Sequence, residues 1–130
     1  MTKTILQSER APKAVGPYSQ AVAVSASKLV FTAGQIAIDP STGGIVSGGI
    51  EEQTRQVIRN LQAVLASAGA GLECTVKTTV FLKDMNDFSG MNRVYESFFK
   101  TDPPARSTVE VSRLPKDVLV EIECVAEIPS

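Results

Sequence analysis

Polar and apolar residues alternate in the first third of the chain. Val22 and Val24, then Leu29 and Phe31, take every second position within residues 16–39, so this stretch reads as extended structure broken by glycines. "DPSTGG" (39–44) supplies turn residues. The period then changes. Ile50, Thr54, Val57, Ile58, Leu61, Val64, Leu65 and Ala68 recur at three- and four-residue spacing, which predicts a helix from residue 50. Glu51 and Glu52 fall in its first turn, where the helix dipole favours them, and Gly69 and Gly71 end it. A Thr- and Val-rich strand is expected over 73–85. A second helix starts at about Asp87, with Asp84 or Asn86 as cap and Phe88, Met91, Tyr95, Phe98 and Phe99 on its buried face. "DPPA" stops it, and strands over 107–114 and 117–128 follow, joined by a turn at "PK". Residues 1–15 are mixed and show no clear period.

The order is β-β-α-β-α-β-β. It predicts an α+β fold, one mixed sheet with two helices on one face, in a single domain spanning residues 1–130. The last strand adds a constraint. Val118, Val120, Ile122, Cys124 and Ala126 point one way, toward the helices. Leu119, Glu121, Glu123, Val125 and Glu127 point the other way, and that face is neither a clean core nor a clean solvent surface. It is expected to pack on another subunit, with sites between subunits, or else to stand as a solvated open face.

Charge and composition narrow the function classes. Thirteen basic and fourteen acidic residues nearly cancel, so nucleic acid drawn by bulk positive charge is not an expected partner. No apolar run reaches the length of a membrane span. "MTKTILQSERAPKA" has neither the apolar core of a secretion signal nor a long Arg-rich presequence. A cytoplasmic location is expected, and a mitochondrial one is also compatible. The chain has no histidine, so Ser19 has no Ser-His-Asp partner and the usual zinc ligand sets are missing. No metal is expected. Cys74 and Cys124 read as core residues or free thiols.

Four features could carry chemistry. Arg106 stands behind Pro103 and Pro104, which stiffen its approach, and its planar fork suits a carboxylate or phosphate. A salt bridge to a nearby Asp or Glu is the plainer use. Glu121 and Glu123 share one strand face, where a carboxylate can hold a water or move a proton, or simply pair with a cation. Tyr18, in "GPYSQA", could lid a pocket or only pack. Gly34, in "TAGQI", marks a close backbone approach, to a ligand or at a bulge. These residues point to a small carboxylate substrate without naming the reaction.

The segments "GPYSQA", "TAGQI", "NLQAVLASAGA", "VKTTVFLKDMNDFSGMNRVYESFF", "PPARSTVEV" and "RLPKDVLVEIE" resemble the RidA/YjgF family of enamine/imine deaminases, in the expected order over nearly the whole chain. The resemblance implies a chorismate-mutase-like fold, a homotrimer whose sheets form a central barrel, and active sites between subunits. It implies hydrolysis of reactive 2-imino acids, such as 2-iminopropanoate from 2-aminoacrylate and 2-iminobutanoate, to 2-keto acids and ammonia, with no cofactor. By the same resemblance Arg106 binds the substrate carboxylate. Glu121 orients the attacking water, and Tyr18 lines or closes the pocket. Gly34 offers a backbone contact, Asn92 lies near the cleft, and the backbone of Thr108 contacts the substrate or product amine. Two departures bear on rate and substrate range. Ala33 stands where many members have serine, and Thr108 stands where many have cysteine. The competing readings are an endoribonuclease or translation inhibitor, an activity also associated with the family, and a non-catalytic protein that binds small carboxylates.

Overall fold

The computed structural model describes residues 3–26 and 28–129. Six strands and two helices follow the chain as β1 (Lys3–Leu6), β2 (Ala21–Val24), β3 (Leu29–Phe31), α1 (Ile50–Ala66), β4 (Thr75–Leu82), α2 (Phe88–Phe98), β5 (Ala105–Glu110) and β6 (Val120–Glu127). The main sheet has the order β3-β6-β4-β5. β4 and β5 run parallel, as the α2 crossover between them requires, and the other pairs are antiparallel. This is the mixed sheet with two helices that the pattern predicts.

The strand β1 was not legible in the pattern. Its residues Thr4, Ile5 and Leu6 all stay exposed, so no buried face imposes a period on them. It pairs with β2 in a two-stranded ribbon beside the main sheet, not within it. The ribbon is tied to the start of β5. The Ser19 N–H donates to the Pro104 carbonyl at 3.2 Å, and the Ser19 hydroxyl donates to the Pro103 carbonyl at 2.5 Å.

Both helices lie on one face. Val57, Ile58, Leu61 and Leu65 of α1 and Met91 and Tyr95 of α2 close a fully buried core over Val80, Leu82, Val120, Ile122 and Ala126. The five β6-region positions expected to face inward, residues 118 to 126, are all buried. Helix α1 opens with the Glu52 carboxylate accepting the Gly49 N–H at 2.8 Å, half of a capping box. Asp84 caps, though not α2 itself: it accepts from the Asn86 N–H and starts the short 3-10 turn Met85–Asp87 that leads into the helix. The helices meet closely at Gly90, where a Cβ would stand 2.7 Å from Ile50 Cγ2. Among the described residues no helix is long and apolar enough to cross a membrane.

On the opposite face Phe31 is 71% exposed and Leu29 and Val109 are also exposed, with Phe81 and Val125 half-buried beside them. One irregularity sits at this face. Phe31 pairs with Val125 and Gln35 with Ile122, so three residues (32–34) oppose two (123 and 124). The Thr32 hydroxyl fills the gap in the ladder by accepting the Cys124 N–H at 3.0 Å.

Candidate active site

Arg106 lies on β5 opposite Thr78 of β4, which in turn lies opposite Cys124 of β6. Paired residues share a sheet face, so the arginine points toward the helices. Helix α2 meets it with Phe88, Asn92 and Tyr95, spaced four and three apart and therefore on one stripe. The Arg106 Nη1 donates to Asn92 Oδ1 at 2.7 Å. The guanidinium carbon is 4.7 Å from the Tyr95 ring centroid, 5.5 Å from that of Phe88 and 5.6 Å from that of Tyr18. These are cation–π distances. Tyr18 comes from a tight turn in which its N–H donates to the Gly16 carbonyl at 2.8 Å, and its hydroxyl accepts the Val15 N–H at 3.3 Å. The same turn brings Gly16 against the guanidinium, where a Cβ would stand 3.7 Å from Arg106 Nη2.

Tyr95 is itself held. Its ring stacks on Phe99 with centroids 4.4 Å apart, and its hydroxyl shares a 2.8 Å hydrogen bond with the Thr78 hydroxyl. Burial pushes its phenol up to about 12, against the opposing pull of the Thr78 hydrogen bond and of Arg106. Burial also lowers the Arg106 guanidinium from its ordinary value, opposed by Tyr95 and Tyr18. An arginine remains a cation under such a shift.

The ion pairs among the described residues are Arg93 with Glu51 and Arg113 with Asp117; Arg106 has none. The salt-bridge reading of Arg106 is therefore not what the fold provides. Of the guanidinium's five N–H groups, one meets a side-chain acceptor among the described residues. A half-buried cation fixed by a neutral amide and three rings, with donors to spare, is suited to an anion from outside the chain.

Glu121 lies elsewhere. It sits opposite Phe81, on the sheet face turned away from the helices. Its side chain covers Gly34. A Cβ on Gly34 would collide with the Glu121 carboxylate and stand 2.9 Å from its Cγ. Gly34 belongs to the three-against-two irregularity, so the bulge and the close approach are one feature. Glu121 is half-buried and Glu123 exposed. Thr108, opposite Val80, shares the Arg106 face, and its hydroxyl oxygen is buried without a hydrogen-bond partner. The six residues singled out from sequence thus form two groups. Arg106, Asn92 and Tyr18 meet on the helix side, with Thr108 on the same face. Gly34 and Glu121 meet on the other. One protomer does not bring the arginine and the carboxylate together.

Sequence reasoning missed the second role of Phe88 and Tyr95, which it assigned only to packing. The signal was present: with Asn92 between them they make one helical stripe, and Asn92 was already a candidate. A cleft of about 420 Å³ opens beside this group, lined by Gly16, Pro17, Asn92, Glu96 and Lys100 among others. Asn92 is also the hydrogen-bond partner of the guanidinium, and Gly16 lies close beside it. A larger groove of about 570 Å³ runs past the C-terminal ends of both helices and includes none of the residues around Arg106 or Glu121.

The sequence model described as "Endoribonuclease L-PSP" matches residues 8–128. A RutC family protein of Pyrococcus abyssi is 56% identical, over 97% of this chain and 98% of its own. The human 2-iminobutanoate/2-iminopropanoate deaminase is 43% identical, over 97% of this chain and 90% of its own. Among solved structures, E. coli TdcF with bound serine superposes with a TM-score of 0.74 at 42% identity, covering 98% of this chain and 99% of that one.

Proposed function

The chain belongs to the endoribonuclease L-PSP family, the RidA/YjgF proteins, and from that membership we propose that it hydrolyses small 2-imino acids to 2-keto acids and ammonia. The observation that carries this reading is Arg106: a half-buried guanidinium, fixed by Asn92, with no carboxylate partner among the described residues. The named activity of the human relative and the serine bound to TdcF both fit a site for small carboxylates.

The substrate carboxylate binds the free edge of the Arg106 fork, which fixes C2 in place. Protonated imine is electrophilic at C2 without help from a metal. Water adds there, giving a carbinolamine with new C–O bonding and loss of the C=N π bond. A proton moves from oxygen to nitrogen, the C–N bond breaks, and the 2-keto acid and ammonia leave. Glu121 is the carboxylate that orients the water and carries that proton, a role worth about 10²–10⁴-fold. Tyr18 walls the carboxylate end, Gly34 sets the depth of Glu121, and Thr108 offers its backbone to the amine.

Arg106 and Glu121 face opposite sides of one sheet, so this mechanism requires two protomers. We assign the exposed apolar face of Leu29, Phe31 and Val109 to that contact, in a homotrimer with its sheets innermost and its helices outside.

The test is a coupled assay. A serine dehydratase generates 2-aminoacrylate, and pyruvate release is followed with and without this protein. Acceleration is expected, with a loss of at least about 100-fold in kcat/KM for Arg106→Ala. No acceleration by the wild type sinks the reading. RNA cleavage that co-purifies at constant specific activity and survives Arg106→Ala would move the assignment to a ribonuclease.

A further inference from the structure

Three residues around the anchor close a loop that the mechanism above does not use. Arg106 is the backbone neighbour of Thr78 across the β4–β5 pair. The Thr78 hydroxyl is bonded to the Tyr95 hydroxyl at 2.8 Å. The Tyr95 ring lies against the Arg106 guanidinium at 4.7 Å, closer than either other ring. Thr78 and Tyr95 are both fully buried, so water does not compete for their bond.

We infer that Thr78 and Tyr95 are positioning residues for the anion anchor: their mutual hydrogen bond fixes the ring plane on which the guanidinium rests, and so the direction in which its free edge presents to a carboxylate. The inference rests on the reading of Arg106 as a carboxylate anchor and adds the device that aims it.

The chemistry favours this over simple packing. An arginine side chain has four rotatable bonds, and one hydrogen bond to Asn92 leaves the fork free to swing about that contact. A flat ring face within cation–π range restricts the swing, because the guanidinium is planar and weakly hydrated and is attracted to such a face. A tyrosine is suited to the task where a phenylalanine is not, since its hydroxyl can be tied. Here it is tied to Thr78, the residue paired with Arg106 across the β4–β5 ladder, so the ring is held by the same strand pair that carries the fork. Phe99, stacked on the ring with centroids 4.4 Å apart, holds it further.

The experiment uses the protein in its native assembly, with 2-oxobutanoate, a stable 2-keto acid, as the probe for binding by calorimetry and 2-iminobutanoate turnover for kinetics. Tyr95→Phe and Thr78→Val are each expected to weaken 2-oxobutanoate binding about threefold to tenfold, the scale of one buried hydrogen bond. KM should rise by the same factor while kcat stays within about twofold. The double variant should be no weaker than the singles within about twofold, because both remove the same bond. Tyr95→Leu, which removes the ring, should weaken binding further. The wild type alone supplies an independent readout: ring current should move the Arg106 guanidinium proton resonances upfield. Unaltered binding in both single variants, additive losses in the double, or guanidinium resonances at their ordinary positions overturns the inference. If the wild type neither binds 2-oxobutanoate nor turns over the imine, the anchor reading falls and takes this inference with it. Wild-type binding with unaffected variants removes this inference alone.

Discussion

Tyr95 keeps its proton to about pH 12 because burial disfavours the phenolate. Its ordinary value is about 10. The folded value lies above the unfolded one, so the associated stability is fully present below pH 10 and is lost as pH rises toward 12. The difference corresponds to about 3 kcal/mol over that window. Tyr95→Phe, which forfeits about 1 kcal/mol at neutral pH with the Thr78 bond, should lose less than the wild type above pH 10. Urea unfolding at pH 8 and at pH 11 measures this, and a constant gap between the two proteins would show that Tyr95 ionises as easily folded as unfolded. Gly34 supports a second prediction. It is not at positive φ, so an added methyl reports on space rather than on backbone strain. That methyl would meet Glu121, whose carboxylate must move away. Gly34→Ala should lower kcat/KM about tenfold through misplacement of the proton carrier, with little change in unfolding midpoint. Ala33→Ser, at the exposed neighbouring position, should leave the unfolding midpoint in place and serves as its control.

Helix α2 carries more of the site than any strand. Its stripe Phe88, Asn92 and Tyr95 surrounds the guanidinium, and its position is set by the crossing with α1 at Gly90. A methyl there would press on Ile50 Cγ2, a branch atom with little freedom. Gly90→Ala should therefore cost about 1 kcal/mol net, overpacking outweighing the gain in helix propensity. Chemical denaturation checks the value, and Ile50→Ala in the same background should relieve it. Both helices were legible from the period of their apolar positions, and β6 from its alternation. The strand β1 was not, for want of a buried face. The relative placement of Arg106 and Glu121 was not legible either. Alternation tells which neighbours on one strand share a face, but it does not tell which face two separated strands share. That depends on the register of β5 on β4 and of β4 on β6, which no local pattern encodes.

For the molecule as a whole, the proposed mechanism makes catalysis a property of the assembly, since it draws Arg106 and Glu121 from two protomers. Phe31→Glu, on the most exposed apolar side chain of the open face, should shift sedimentation from trimer toward monomer and remove imine hydrolysis, although every residue around Arg106 is intact. A stronger form of the prediction uses two inactive proteins. Arg106→Ala and Glu121→Gln each disable every site alone. Unfolded together in equal amounts and refolded, they should regain about a quarter of wild-type activity, since that share of random interfaces pairs an intact arginine with an intact glutamate. No recovery in verified mixed trimers would mean that both residues act from one protomer.

The missing counter-charge at Arg106 also ties stability to ligand occupancy. A cation partly withdrawn from water, with no ion-pair partner among the described residues of its own chain, is a cost that the unliganded fold carries. A bound monoanion removes that cost only in the folded state, so mass action must raise the melting temperature with ligand concentration, by the equivalent of about 2.7 kcal/mol at one hundred times Kd. A series of 2-keto acids of increasing side-chain length, ranked by the melting temperature each confers, would order the preferences of the site without any turnover being measured. The same ranking on Arg106→Ala should be flat.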